Sequence, residues 1–123
     1  MTTSEIASRL VELCRTGQFE AAYDQLFSQD AENIEMPGND TGALGNARGL
    51  AAMRAKGAAW SAGVETIHSM DVGEPIVAAN WFALTMKLDI TMKGAGRMQM
   101  EEICLYQVKN GKIVREQFFY DAG

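Results

Sequence analysis

Apolar and polar positions divide the chain into two halves with different periods. In the first half apolar residues recur every three or four positions, the spacing of one helix face. Ile6, Leu10, Leu13 and Cys14 mark the first such face. Before them Thr2-x-x-Glu5 forms a capping box, in which the Thr oxygen accepts the Glu5 N–H and the Glu carboxylate reaches back. Gly17 ends this helix, because glycine tolerates the left-handed conformation. Phe19, Ala22, Tyr23, Leu26 and Phe27 predict a second helix. Asn33–Met36 predicts a short strand, and the Gly/Asn/Asp-rich stretch from Gly38 to Gly45 predicts a loop. A third helix is predicted from about Arg48 to Trp60, carrying Leu50, Met53 and Trp60. Gly49 and Gly57 weaken it by ~1 kcal/mol each.

The second half alternates with period two, the mark of strands. Val64, Thr66, His68, Met70 and Val72 share one face, and Gly73-Glu74-Pro75 breaks the pattern. Ile76, Ala78, Phe82, Leu84, Met86, Leu88 and Ile90 share a face of a long second strand. Met98 to Val108 is a third strand and Ile113 to Asp121 a fourth. Between them Asn110-Gly111 is the strongest hairpin signal, since a type I′ turn needs positive φ at both central positions. A strand of about 15 residues at ~3.3 Å each would span ~50 Å flat. A globule of this length has a radius of gyration of only ~14 Å. The sheet must therefore bend. Helices followed by a long bent sheet predict an α+β cone, with about three N-terminal helices packed on a strongly curved antiparallel sheet.

Register follows from the turns. An Asn110-Gly111 turn pairs Lys109 with Lys112, so Val108 opposes Ile113, Tyr106 opposes Arg115, Cys104 opposes Gln117 and Glu102 opposes Phe119. Met100 then opposes Asp121. With Gly94-Ala95-Gly96 as a three-residue loop, Lys93 pairs with Arg97, Leu88 opposes Glu102 and Met86 opposes Cys104. A four-residue loop would bring in Glu101 instead. The first register joins Met98, Met100, Cys104 and Val108 to the apolar row. It sets Glu102 and Asp121 as diagonal neighbours on a largely apolar concave surface, with Tyr106 and Gln117 nearby. Acids on apolar faces are costly unless paired or functional. Their raised pKa values suit proton transfer near neutral pH. The plainer alternative pairs Glu102 with Arg115 or Arg97 and leaves Asp121 as a strand-end cap.

Composition narrows the function. The chain has 123 residues and a net charge of −5, the size of one domain, 1–123. An acidic chain repels phosphate backbones, so nucleic acid is not an expected partner. No apolar run reaches the ~20 residues of a membrane helix. The N-terminus has no basic start or apolar signal core, which predicts a cytoplasmic protein. Cys14 and Cys104 read as buried free thiols. One histidine and no Cys/His spacing argue against zinc. No Gly-rich phosphate loop follows a strand, so no nucleotide cofactor is expected. No Ser-His-Asp or Cys-His arrangement is readable.

The helices and above all Glu101-Glu-Ile-Cys-Leu-Tyr-Gln-Val-Lys-Asn-Gly-Lys-Ile-Val-Arg-Glu-Gln-Phe-Phe-Tyr-Asp121 resemble the SnoaL-like proteins of the nuclear-transport-factor-2-like superfamily. That resemblance spans essentially the whole chain and implies a cystatin-like cone. The superfamily includes polyketide cyclases, ketosteroid isomerases, epoxide hydrolases and dehydratases, mostly homodimers through the sheet. In the cyclases an aspartate at the end of the last strand is the general acid/base, and Asp121 matches it. Cyclases also line the pocket with histidines, and here His68 is the candidate. For the Asp-Arg-Asp arrangement of the epoxide hydrolases, Arg97 or Arg115 would supply the arginine.

The expected function is thus a cofactor-independent isomerase, cyclase or lyase acting on a small apolar carbonyl compound. Asp121, Glu102 and His68 are the catalytic candidates. Tyr23, Trp60, Phe82, Met86, Met100, Tyr106, Gln117 and Phe119 are the candidate pocket lining. The alternative is a non-catalytic domain that only binds a small apolar ligand. A second apolar face, with Val77, Ala79, Trp81, Ala83, Ile103, Leu105, Phe118 and Tyr120, predicts a homodimer packed sheet to sheet.

Overall fold

A computed structural model describes residues 1–121. Helix α1 (Thr3–Arg15) opens on the predicted capping box. Thr2 Oγ1 accepts the Glu5 N–H at 3.2 Å, and Glu5 Oε1 accepts the Thr2 N–H at 2.8 Å. Gly17 follows the helix at φ 70°, and the Gln18 N–H closes back on the Leu13 carbonyl at 2.9 Å. Helix α2 (Phe19–Leu26) buries Ala22 and Leu26 but leaves Phe19 exposed at its first turn. Helix α3 (Leu50–Gly63) starts two residues later than predicted and runs three further. Gly49, at φ 86°, turns the chain and donates its N–H to the Ala31 carbonyl instead.

Among the described residues there are seven strands: β1 (Phe27–Ile34), β2 (Ala47–Arg48), β3 (Val64–Val72), β4 (Ile76–Ala78), β5 (Trp81–Met92), β6 (Gly96–Lys109) and β7 (Lys112–Phe119). They form one sheet in the order β2-β1-β7-β6-β5-β3, with β4 paired to β5. All pairs are antiparallel except β1 with β7, which is parallel. The predicted α+β architecture is observed, but the sheet is mixed. Strand β1 starts six residues before the predicted Asn33–Met36 and ends two residues short of Met36, taking Phe27 from the predicted second helix, because Phe27-Ser-Gln-Asp-Ala-Glu-Asn-Ile34 is too polar to read as a strand alone. Among the described residues no helix is long and apolar enough to cross a membrane.

Four register details differ from expectation. The long strand Ile76–Ile90 is instead a hairpin: Ala79, at φ 52°, turns β4 back onto β5, so that Ala78 opposes Trp81. Ile76 therefore shares the outer face with Ala83, and it is 76 % exposed. Strands β5 and β6 are joined through Lys93-Gly94-Ala95, with Met92 opposite Gly96. This slides the pairing by two residues, so Met86 opposes Glu102 and Leu84 opposes Cys104. A two-residue slide keeps every side chain on its face, and Glu102, not Glu101, stays inside. Strands β6 and β7 start as predicted, Val108 opposite Ile113, but Val114 is then an extra, bulged residue. Beyond it Tyr106 opposes Glu116, Leu105 opposes Gln117 and Ile103 opposes Phe119. A one-residue slip reverses the faces. Glu116 and Phe118 point in, while Arg115, Gln117 and Phe119 point out. Strand β3 also bulges, between Ile67 and Ser69.

The core sits where α1 and α2 close on the sheet. Ile6, Leu10, Leu13 and Leu26 meet Phe82, Leu84, Cys104, Tyr106, Val108 and Ile113 there, all buried. Phe82 and Tyr106 stack with centroids 4.7 Å apart, and Phe27 meets Tyr106 edge-on at 6.5 Å. Aromatic side chains thus fill this end of the cone, each burying on the order of 150–250 Å². Cys14 and Cys104 are free and buried, as predicted.

Candidate functional site

Towards the other end, α3 and β1 place a polar cluster against the concave face. Leu50, Met53, Lys56 and Trp60 follow one another at helical spacing on α3. Lys56 thereby lies on the stripe that its neighbours bury. Asn33 and Glu35 are two residues apart and share a face. Lys56 Nζ donates to Glu35 Oε2 at 2.6 Å and to Asn33 Oδ1, and its ammonium sits 5.6 Å from the Phe118 ring centroid. An ammonium only donates, so Asn33 must turn its oxygen towards Lys56 and its amide N–H₂ the other way. That N–H₂ donates to Glu116 Oε1 at 2.6 Å, and the parallel β1–β7 register sets Asn33 opposite Glu116. Tyr120 donates to Glu35 Oε1 at 2.8 Å and accepts from Asn39 at 3.2 Å. Glu102 stands beside this cluster on β6, half-buried, and accepts a long contact from the Cys104 thiol at 3.6 Å.

Burial governs the acid/base state here. It is the first cause pushing Glu102 up to about 7, helped by the charges of Glu35 and Glu116 and opposed by the Cys104 thiol and Lys56. Burial also raises Glu116, against its hydrogen bonds to Tyr106 and Asn33. The same cause raises Tyr106 and the Cys104 thiol, so both stay protonated near neutral pH. Glu102 is therefore a half-buried carboxyl on the apolar face that shares its proton near neutrality. Its expected alternative partners are engaged elsewhere: Arg97 pairs with Asp89 at 2.8 Å, and Arg115 approaches Glu32 at 3.9 Å.

The other candidate residues scatter. Asp121 lies past the end of β7 and is exposed, so the expected Met100–Asp121 pairing is not formed. His68 falls at the β3 bulge and is exposed. Its Nε2 lies 2.7 Å from Thr91 Oγ1, on the outer face beside Asp89. Gln117 and Phe119 also face outwards, because of the Val114 bulge. Phe82 and Tyr106 are 1 % and 2 % exposed, inside the packed core. Tyr23 packs edge-on against Phe27 at 5.2 Å with Arg54 over its ring. Met86, Met100 and Trp60 are half-buried, the two methionines on the Glu102 side of the sheet. Glu116, Lys56, Asn33 and Glu35 were missed. The bulge hid Glu116, whereas a lysine on the apolar stripe of α3 and the Asn33-x-Glu35 spacing were readable signals. Two surface depressions, about 340 and 290 Å³, are present: one beside Arg15 and Glu74, the other lined by Met86, Lys87, Glu101, Glu102, Ile103 and Phe119, so that it reaches Glu102 itself. Among the described residues no three His, Cys, Asp or Glu side chains come together as a metal site needs.

Three helices closing a curved, mostly antiparallel sheet define a class, the cystatin-like cone. A Xanthomonas campestris protein of unknown function with a cystatin-like fold superposes with TM-score 0.80 at 20 % identity, covering 98 % of this chain and 91 % of its own. A Burkholderia thailandensis nuclear-transport-factor-2-like protein gives TM-score 0.82 at 16 % identity, over 98 % and 92 %. Within that class the SnoaL-like domain family matches residues 1–120, and the chain belongs to this family. A Mesorhizobium loti protein provisionally named a SnoaL-like polyketide cyclase is 36 % identical, with TM-score 0.88, over 98 % of this chain and all of that one. No curated protein matches the sequence.

Proposed function

We propose that the protein is a cofactor-independent acid/base catalyst, an isomerase or cyclase of a small carbonyl compound, with Glu102 as the proton-transfer group. One observation carries this reading: Glu102 stands half-buried on the concave face with its carboxyl pushed up to about 7 by burial. The SnoaL-like family, with a polyketide-cyclase namesake among its relatives, supports the class of reaction. As carboxylate, Glu102 takes a proton from the carbon next to a carbonyl. The C–H electron pair becomes the enolate double bond, and the carbonyl π pair moves to oxygen. In an isomerisation Glu102 returns the proton to a different carbon. In a cyclisation the enolate attacks a second carbonyl of the same molecule and the new alkoxide takes the proton back. Neither route needs a co-reactant. A ligand enters beside Met86 and Met100, whose flexible thioethers adapt to its shape.

The test needs no prior substrate. Deuterium uptake from D₂O by a panel of small enolisable ketones, followed by proton NMR, reads the first step directly. Wild-type protein should accelerate uptake by at least one ketone. Glu102→Gln should remove about 10²–10⁴ of that rate, the usual worth of a positioned base, whereas Asp121→Asn should change it less than tenfold. Uptake that survives Glu102→Gln would overturn the assignment. Ligands that raise the melting temperature with no uptake would instead favour the binding-only reading.

We also propose a homodimer through the outer face of the sheet. Ile76, Ile103 and Phe119 are 76, 50 and 40 % exposed there. Beside them the charges Lys87–Glu101 and Asp89–Arg97 pair within the chain. Sedimentation equilibrium should show a dimer at micromolar concentration, and Phe119→Asp should shift it to monomer. A wild-type monomer would refute the proposal.

A further inference from the structure

We propose that Lys56 is the anion-holding residue of this site, and that the natural ligand is a small organic oxyanion, a carboxylate or an enolate, seated on its ammonium. The inference rests on the reading of the concave polar end as the ligand site. A lysine on the buried stripe of a helix is costly unless partnered. Here the side chains of Lys56 and Glu35 are only 15 % and 12 % exposed. A buried ion pair is weak evidence for stability, since apolar residues of similar size often do as well. What distinguishes this pair is that each partner is itself held. Glu116 holds Asn33, Tyr120 holds Glu35, and Asn39 holds Tyr120. Donors locked in this way are what stabilisation of a developing charge requires, because nothing must reorganise when the charge arrives.

The charge balance also favours an anion. The groups around Lys56 are Asn33 and Glu35 from β1 and its extension, Glu102 from β6, and Glu116 and Phe118 from β7; behind them Cys104 touches Glu102, Tyr106 touches Glu116 and Tyr120 touches Glu35. Lys56 and Glu35 cancel. Glu102 and Glu116 are both raised by burial towards their neutral forms. Cys104 and the tyrosines stay protonated. Two of the three Lys56 N–H bonds go to Glu35 and Asn33, which leaves one for an incoming oxygen. Phe118 supplies an apolar shelf beside it. An enolate formed by Glu102 would thus find its counter-charge already in place. Because the neutral form of Glu102 accommodates an anion better than its carboxylate, anion affinity should fall as pH rises through about 7.

Matched carboxylates and amides test this. Benzoate and phenylacetate are titrated into the full chain against benzamide and phenylacetamide, at millimolar concentrations and below pH 7, by chemical-shift perturbation. The carboxylates should bind about tenfold tighter or more, and this margin should shrink above pH 7. Lys56→Met should abolish the margin. Glu35→Gln, which frees the ammonium of its competitor, should widen it, a change that a merely structural role would not produce. Should Lys56→Met fail to fold, the wild-type comparison and Glu35→Gln decide alone. Equal or tighter binding of the amides, binding of neither class, or a margin that survives Lys56→Met would overturn the proposal. Carboxylate preference together with deuterium uptake that ignores Glu102→Gln would leave Lys56 in place and remove the acid/base reading. The reverse pattern would remove Lys56 alone.

Discussion

The two ends of the concave face are built on the same strands and have opposite character. Strands β6 and β7 supply Tyr106, Val108 and Ile113 at the helix-covered end, all buried. Next to them the same strands supply Glu116, directly opposite Tyr106, and further along Glu102, with Phe118 beside the α3 lysine. What differs is the covering layer. Helices α1 and α2 lay Ile6, Leu10, Leu13 and Leu26 over one end and exclude water by close packing. Over the other end α3 lays Lys56, so burial there raises carboxyl pKa values instead of only packing carbon. Stability and chemistry are therefore segregated along one sheet. Changes at the first end should act on folding with little effect on proton transfer, whereas changes at the second should act on proton transfer and on the pH dependence of stability.

The sharpest way to break that contrast is Phe82→Ala. Phe82 is 1 % exposed and stacked on Tyr106, so the variant should lose about 3–5 kcal/mol of stability in denaturant unfolding. A loss under about 1 kcal/mol would mean that the aromatic end is not the core.

A somewhat smaller effect is expected from pH at the polar end. Glu102 titrates near 7 when folded and near 4.3 when unfolded. Between those values the folded chain binds more protons, so stability falls as pH rises from about 4.5 to 7 and levels above. The shift is worth up to about 4 kcal/mol, and Glu116 adds in the same direction. Urea midpoints measured across that range should show this slope, and Glu102→Gln should flatten it in part. A slope unchanged by Glu102→Gln would show that the carboxyl is not desolvated.

Next in size, Glu116→Gln replaces one of the two carboxyl oxygens that serve Asn33 and Tyr106 by an amide N–H₂ that only donates, so one of these two donors loses its acceptor. It should cost about 1–3 kcal/mol, the penalty of a buried donor without its partner. The smallest effect is at the surface. Arg54 pairs with Asp24 and Glu20 on exposed side chains. Arg54→Ala should leave the urea midpoint almost where it is in the wild type, the smallest shift of the four variants.

Local signals were reliable wherever a short stretch carried its own geometry. The Thr2/Glu5 capping box, the Gly17 stop and the Asn110-Gly111 turn are all observed, because each is settled by residues within a few positions. Glu102 kept its predicted face even though the β5–β6 loop was placed wrongly, since a slide of two preserves side-chain alternation. Glu116 was missed for the opposite reason. One bulged residue, Val114, reverses every face beyond it, and nothing in Ile-Val-Arg marks a bulge. Ala79 at positive φ was equally silent, because alanine seldom adopts that conformation.

By itself, then, the order of apolar and polar residues determined the three helices, the strands β3, β6 and β7, the α+β cone and one inward acid, because periodicity and turn chemistry act over a few residues. Only the tertiary structure decided which acids meet. It paired β1 parallel to β7, set Asn33 beside Glu116, and swung the α3 lysine onto Glu35. Those contacts join residues 21 and 83 positions apart. Their electrostatics exist only once burial has removed the water between them, and burial is a property of the packed chain.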